Sequence, residues 1–132
     1  MSTFFSKSTV WLASVIVYTI FTLIVSSVSE WEFLPFLSAG ISLLPTFRYD
    51  LILHLIEYAI LAWLILRYLH VSDRIGHKLA LLGTIIFCGI IGGLNELWQM
   101  HIPNRTVGID DAIANIVGAV VIVWWIGRKR KT

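Results

Sequence analysis

Gly89-Ile-Ile-Gly-Gly-Leu-Asn-Glu-Leu-Trp-Gln-Met-His-Ile-Pro-Asn-Arg-Thr-Val-Gly-Ile-Asp-Asp-Ala-Ile-Ala-Asn-Ile-Val-Gly118 is the stretch that decides the fold. It reads as a hydrophobic helix that gathers Glu96 and Gln99 at its end, turns around Pro103 and Arg105, and enters a second hydrophobic helix carrying Asp111 and Asn115. Residues spaced i, i+4 and i+7 share one helical face, so Gly89, Gly93 and Glu96 are expected on one face and Asp111, Asn115 and Gly118 on another. Gly89 and Gly93 form a G-x-x-x-G step that lets a neighbouring backbone come close, and Ala114 with Gly118 offer the matching small surface. The two helices are therefore expected to pack together.

The rest of the chain places this hairpin in a membrane. Its 132 residues are 58% hydrophobic and 14% charged, with mean hydropathy +0.84, a composition that excludes a soluble domain. A hydrocarbon core of about 30 Å needs about 20 apolar helical residues. The expected fold is an all-α, polytopic membrane protein, a single domain over 1–132, with four transmembrane helices near 9–28, 50–69, 79–98 and 111–126 in a small bundle. Four such spans leave room for a homodimer. Cys88, the only cysteine, lies mid-span, so it reads as packing, and no disulfide framework or cysteine-based metal site exists. A net charge of +2 without interleaved basic and aromatic residues argues against nucleic acid as a partner.

Thr9 to Val28 is long for a signal-peptide core, although Ser27-Val28-Ser29 resembles a small-x-small cleavage site, so both a retained anchor and a removed leader fit. Glu30 to Asp50 is apolar but interrupted by Pro35, Gly40 and Pro45. Its Trp31, Phe33, Phe36 and Phe47 suit a segment at headgroup level or a cap on the bundle.

Charge placement sets an expected orientation. Lys7, the 67–78 connection with Arg67, Arg74 and Lys78, and the tail Arg128-Lys129-Arg130-Lys131 hold eight of the ten Lys and Arg residues. The positive-inside rule puts these segments, and hence both termini, in the cytoplasm. The outer side then carries Arg48 and Arg105 with seven of the eight acids: Glu30, Glu32, Asp50, Glu57, Glu96, Asp110 and Asp111.

His54, Glu57, Tyr58, Glu96, Gln99, Arg105, Asp111 and Asn115 all fall at the outer ends of spans two, three and four. An ionisable group at mid-bilayer costs about 2.5–3.5 kcal/mol on insertion scales, so these residues are expected to line one outward-opening polar cleft. His54 beside Glu57 reads either as a structural hydrogen-bonded pair or as a proton-transfer group. The nearest second imidazole is His101 on a connection, so no metal and no cofactor is expected. Glu96, Arg105 and Asp111 read equally as an ion-pair lock on the turn or as a functional group, with the Arg105 guanidinium suited to a phosphate or carboxylate. Asn115 and Gln99 suit helix-to-helix hydrogen bonding, and Asp110 a helix cap. Asn104-Arg105-Thr106 matches a glycosylation sequon, a pattern that chance produces readily. His70 and His77 belong to the cytoplasmic turn, with no constellation around them.

Two blocks resemble the VanZ-like membrane proteins: Asp50-Leu-Ile-Leu-His54-Leu-Ile-Glu57-Tyr58, and Glu96-Leu-Trp-Gln99 followed by Pro103-Asn-Arg105, Asp111, Asn115 and Gly118. The resemblance covers most of Asp50 to Gly118 and implies a cell-envelope membrane protein linked to resistance to the glycopeptide antibiotic teicoplanin. That family often has Lys directly after the position of Asp50, where this chain has Leu51. Any ligand-binding role of that lysine does not carry over, although Arg48 offers a similar charge.

The resulting expectation is a site that binds, and potentially modifies, an amphipathic envelope lipid or lipid-linked precursor. His54, Glu57, Glu96 and Asp111 would handle protons, and Tyr58, Gln99, Arg105 and Asn115 would hold the ligand. The competing expectation is a non-catalytic interaction protein whose polar network only packs helices. A proton-coupled transporter would need access from both faces, against which the apolar inner halves of the spans argue. No Gly-x-Ser-x-Gly elbow or phosphate-cradling P-loop is present.

Overall fold

The computed structural model describes residues 6–27, 49–103 and 108–129. They form four helices: α1 (Lys7–Ser27), α2 (Tyr49–Ser72), α3 (His77–Gln99) and α4 (Ile109–Lys129). All four are long and apolar enough to cross a membrane. At 1.5 Å per residue they reach about 31–36 Å, slightly beyond a 30 Å hydrocarbon core. The helices begin and end one to three residues outside most of the expected spans because helical hydrogen bonding continues through polar ends such as Lys7, His77 and Lys129. An apolar-window reading stops where the greasy run stops.

α2 occupies the centre, touching α1, α3 and α4, and its interface with α4 is the most extensive in the bundle. Tyr58, Leu61, Ala62, Leu64 and Ile65 of α2 form the core with Val15 of α1, Cys88 of α3 and Ala119 of α4. Cys88 is a fully buried free thiol, as a packing role requires. The opposite faces show Ile20, Ile24, Leu82, Ile86, Ile90, Leu94, Ile113 and Val121 to the surroundings, the apolar surface that lipid solvates.

The expected glycine contact is corrected. Gly93 is exposed, and a Cβ at Gly89 or Gly93 would meet nothing within 4 Å. The inward face of α3 is instead Ala80, Thr84, Cys88, Gly92, Asn95, Glu96 and Gln99, rotated by about one residue's 100° from the G-x-x-x-G stripe. Gly92 is the small residue that matters there, since its Cβ would lie 3.3 Å from Asn115 and 3.4 Å from the Tyr58 ring. Gly118 behaves as a close-approach residue, but toward α2 rather than α3. A Cβ on it would run into the Leu55 carbonyl oxygen and stand 3.1 Å from the Ala59 backbone nitrogen.

α2 ends at Asp73, whose φ of 47° is left-handed and whose N–H donates to the Leu69 carbonyl at 3.2 Å. This is the helix-terminating position that glycine fills at least cost. Asp73→Gly should therefore stabilise the bundle by about 0.5–1 kcal/mol, read as a raised thermal midpoint in detergent.

The basic end of the bundle is ringed by aromatic side chains. Trp11 and Trp63 meet edge-to-face at 5.5 Å, and the Arg67 guanidinium lies 5.2 Å from the Trp11 ring centre. Arg128 sits 4.5 Å over Trp124 and Lys129 3.8 Å over Trp125. Cation-on-tryptophan contacts of this kind suit the headgroup zone, where one side of each ring is apolar and the other wet.

Candidate functional site

The alternating direction of the helices brings the C-terminal ends of α1 and α3 to the same end as the N-terminal ends of α2 and α4. His54, Tyr58, Glu96, Gln99, Asp111 and Asn115 are all buried at this end, and Glu57 is half-buried one turn deeper than His54. Six of the eight expected site residues thus turn inward. Arg105 lies outside the described residues, as do Arg48 and all of the Glu30–Asp50 stretch except its last two residues, which open α2.

At the centre of the site is an interhelical relay. The Asn115 side-chain amide donates to Glu96 Oε1 at 3.2 Å, and Asn115 Oδ1 lies 3.1 Å from His54 Nδ1. Asn115 thereby links α2, α3 and α4 through one side chain. Because its NH2 group faces the carboxylate, only its carbonyl oxygen faces the ring, and His54 Nδ1 must carry the proton. The basic lone pair of a neutral His54 then resides on Nε2. Gly92 leaves the room that Asn115 and Tyr58 occupy.

Asp111, 4% exposed, accepts the Gly108 N–H through Oδ2 at 3.2 Å, while its own N–H reaches the Gly108 carbonyl. A carboxylate three residues into a helix that reaches back to the N-cap N–H is half of a capping box. Asp111 thereby caps the start of α4 while facing the bundle, beside Asp110, the residue expected as a cap. With Asp110 beside it in the first turn, the α4 N-terminus presents two acids to the positive end of its dipole.

α1 joins the site through contacts that helix spacing alone does not reveal. Asn95 Nδ2 donates to Ser26 Oγ at 2.9 Å, and the Trp98 indole N–H donates to Ser27 Oγ at 2.8 Å. Asn95 lies on the buried face, one residue before Glu96, and a polar amide inside a hydrophobic run is the signal that marks it. The Gln99 amide is fully buried and has no hydrogen-bond partner among the described residues.

His101 is exposed, and its Nδ1 lies 2.9 Å from the Leu97 carbonyl, which fixes Nδ1–H as donor and turns the ring onto its own helix. Among the described residues no three His, Cys, Asp or Glu side chains converge on a metal position. The turn histidines do form a constellation, contrary to expectation: His70 Nε2 and His77 Nδ1 are 3.1 Å apart with stacked rings.

The VanZ/LLP1 family matches residues 2–128, nearly the whole chain. The chain belongs to this family. No curated protein and no solved structure matches it. In this VanZ/LLP1 protein the two sequence blocks that carry the resemblance meet physically, His54 and Tyr58 from the first against Glu96 and Asn115 from the second.

Proposed function

We propose that this VanZ/LLP1 protein binds the headgroup of an amphipathic envelope lipid or lipid-linked precursor at the polar end of its bundle. The carrying observation is the buried Glu96–Asn115–His54 relay within the spans. Ionisable groups held inside a membrane bundle are costly and mark functional positions. The relay connects a carboxylate, through an amide, to an imidazole, two ionisable groups suited to exchanging a proton with a bound hydroxyl or phosphate. Arg105, on the connection that follows Gln99, supplies the complementary charge for an anionic headgroup. Glu57 and Asp111 flank the relay, and Tyr58 and Gln99 line it.

The clustering of eight of the ten Lys and Arg residues supports an orientation with both termini cytoplasmic, which would set this site at the outer leaflet, in keeping with a role in teicoplanin resistance. Glu96→Gln and Asp111→Asn should abolish growth of expressing bacteria in teicoplanin at unchanged protein levels in the membrane. Full resistance in both variants would sink the catalytic part of the reading. Loss of phosphatidylglycerol adducts from Arg105→Gln in native mass spectrometry, with phosphatidylcholine as the neutral control, tests the binding part separately.

A second reading rests on the closure of the relay. Asn115 satisfies partners on two other helices at once, as interhelical amides do when they serve packing. In that reading the protein acts by binding other envelope components, and relay variants lose thermal stability rather than activity alone.

A further inference from the structure

The 73–76 turn brings two histidines together at the opposite, basic end of the molecule. His70, in the last turn of α2, and His77, the first residue of α3, place Nε2 and Nδ1 3.1 Å apart, with ring centres at 5.2 Å and planes inclined by 29°. We propose that these two imidazoles are a chelate for a divalent transition metal, copper(II) first and zinc(II) after it, which fastens the end of α2 to the start of α3.

The geometry suits this chemistry. With metal–nitrogen bonds of about 2.0–2.1 Å, two nitrogens at this separation subtend about 100° at the metal, between square-planar and tetrahedral angles. The pair is already assembled, so binding requires no large rearrangement. In the metal-free pair one of the facing nitrogens carries a proton and donates to the other. Metal binding replaces that shared hydrogen: in a neutral pair the proton moves to the outer nitrogen of the same ring, and in a singly protonated pair it leaves to water. No electron transfer is involved, and acid competes with the metal.

No further His, Cys, Asp or Glu completes a three-ligand set among the described residues, so water fills the remaining positions. The charged groups at this end are Arg67, Asp73, Arg74 and Lys78 around the turn, Lys7 at the start of α1, and Arg128 and Lys129 at the end of α4. Their net positive charge weakens a dication's attraction. They are exposed, however, so water and salt weaken their effect on the pair. Copper(II), the strongest binder to imidazole in its series, is accordingly favoured.

The test uses full-length protein purified in detergent without a polyhistidine tag. Copper(II) added at one equivalent should give an electron paramagnetic resonance spectrum with coupling to two imidazole nitrogens. His70→Gln or His77→Gln should weaken zinc(II) binding in calorimetry by about 100-fold, the upper end of what losing even an outer-shell partner costs. His101→Gln should leave both readouts unchanged, and zinc should raise the thermal midpoint of this control but not of the turn variants. A wild-type protein without the two-nitrogen spectrum, or a His70→Gln/His77→Gln double variant that binds like wild type, overturns the proposal.

Discussion

Gly118→Val should leave little folded protein, and Gly118→Ala should already lower stability by about 3 kcal/mol, the upper end of the cost of overpacking a core. The added Cβ meets backbone, the carbonyl group of Leu55 and the nitrogen of Ala59, so no rotamer change relieves it. The helices themselves must separate, and α2 and α4 share the largest interface in the bundle. The intrinsic helix preference of Ala over Gly, about 1 kcal/mol, offsets only part of this. Gly93→Ala is the matched control: its Cβ enters open space, so the same propensity gain should appear unopposed, as a neutral or slightly raised thermal midpoint in detergent. Equal losses at the two glycines would mean that the α2–α4 contact is not as close as the structure has it.

The contrast between these glycines shows what was legible in the chain. The number of helices and their approximate ends follow from apolar length, which lipid enforces strictly. Which face turns inward does not follow, because α3 is apolar on most of its circumference and lipid solvates Ile90 or Leu94 as readily as the core accepts Cys88. The better guide was polar: Thr84, Asn95 and Gln99 share the stripe of Gly92 and are all buried, whereas the G-x-x-x-G spacing pointed beside it. Likewise, the gathering of His54, Glu96, Asp111 and Asn115 at one end follows from their positions along alternating helices. Their pairing does not, since His54 and Asn115 are 61 residues apart and meet only once α2 and α4 have a rotation and a depth. Ser27 reads in the sequence as part of a small-x-small cleavage pattern and Ser26 carries no reading at all, yet their hydroxyls fasten α1 to Trp98 and Asn95 respectively.

Asn115→Leu should cost about 2–4 kcal/mol, because it removes the partner of two buried groups at once and leaves each to bear the penalty of an unmade hydrogen bond, about 1–3 kcal/mol apiece. Interhelical hydrogen bonds measured inside membranes average nearer 0.6 kcal/mol, since unfolded helices find other partners in the bilayer. A loss well above that value would mark the relay as a coupled unit rather than a set of separate contacts. His54→Leu in the Asn115→Leu background should then cost less than it does alone, because the imidazole it removes has already lost this partner. Glu96→Gln separates the two functional readings. Its carbonyl oxygen can still accept from the Asn115 amide, so helix packing should change by less than about 1 kcal/mol, while the carboxylate to which the proposed function gives the proton is gone. If Glu96→Gln melts like wild type and loses resistance, the carboxylate works on a ligand. If it loses as much stability as Asn115→Leu, the charge is part of the scaffold, and proton handling at this end of the bundle is no longer supported.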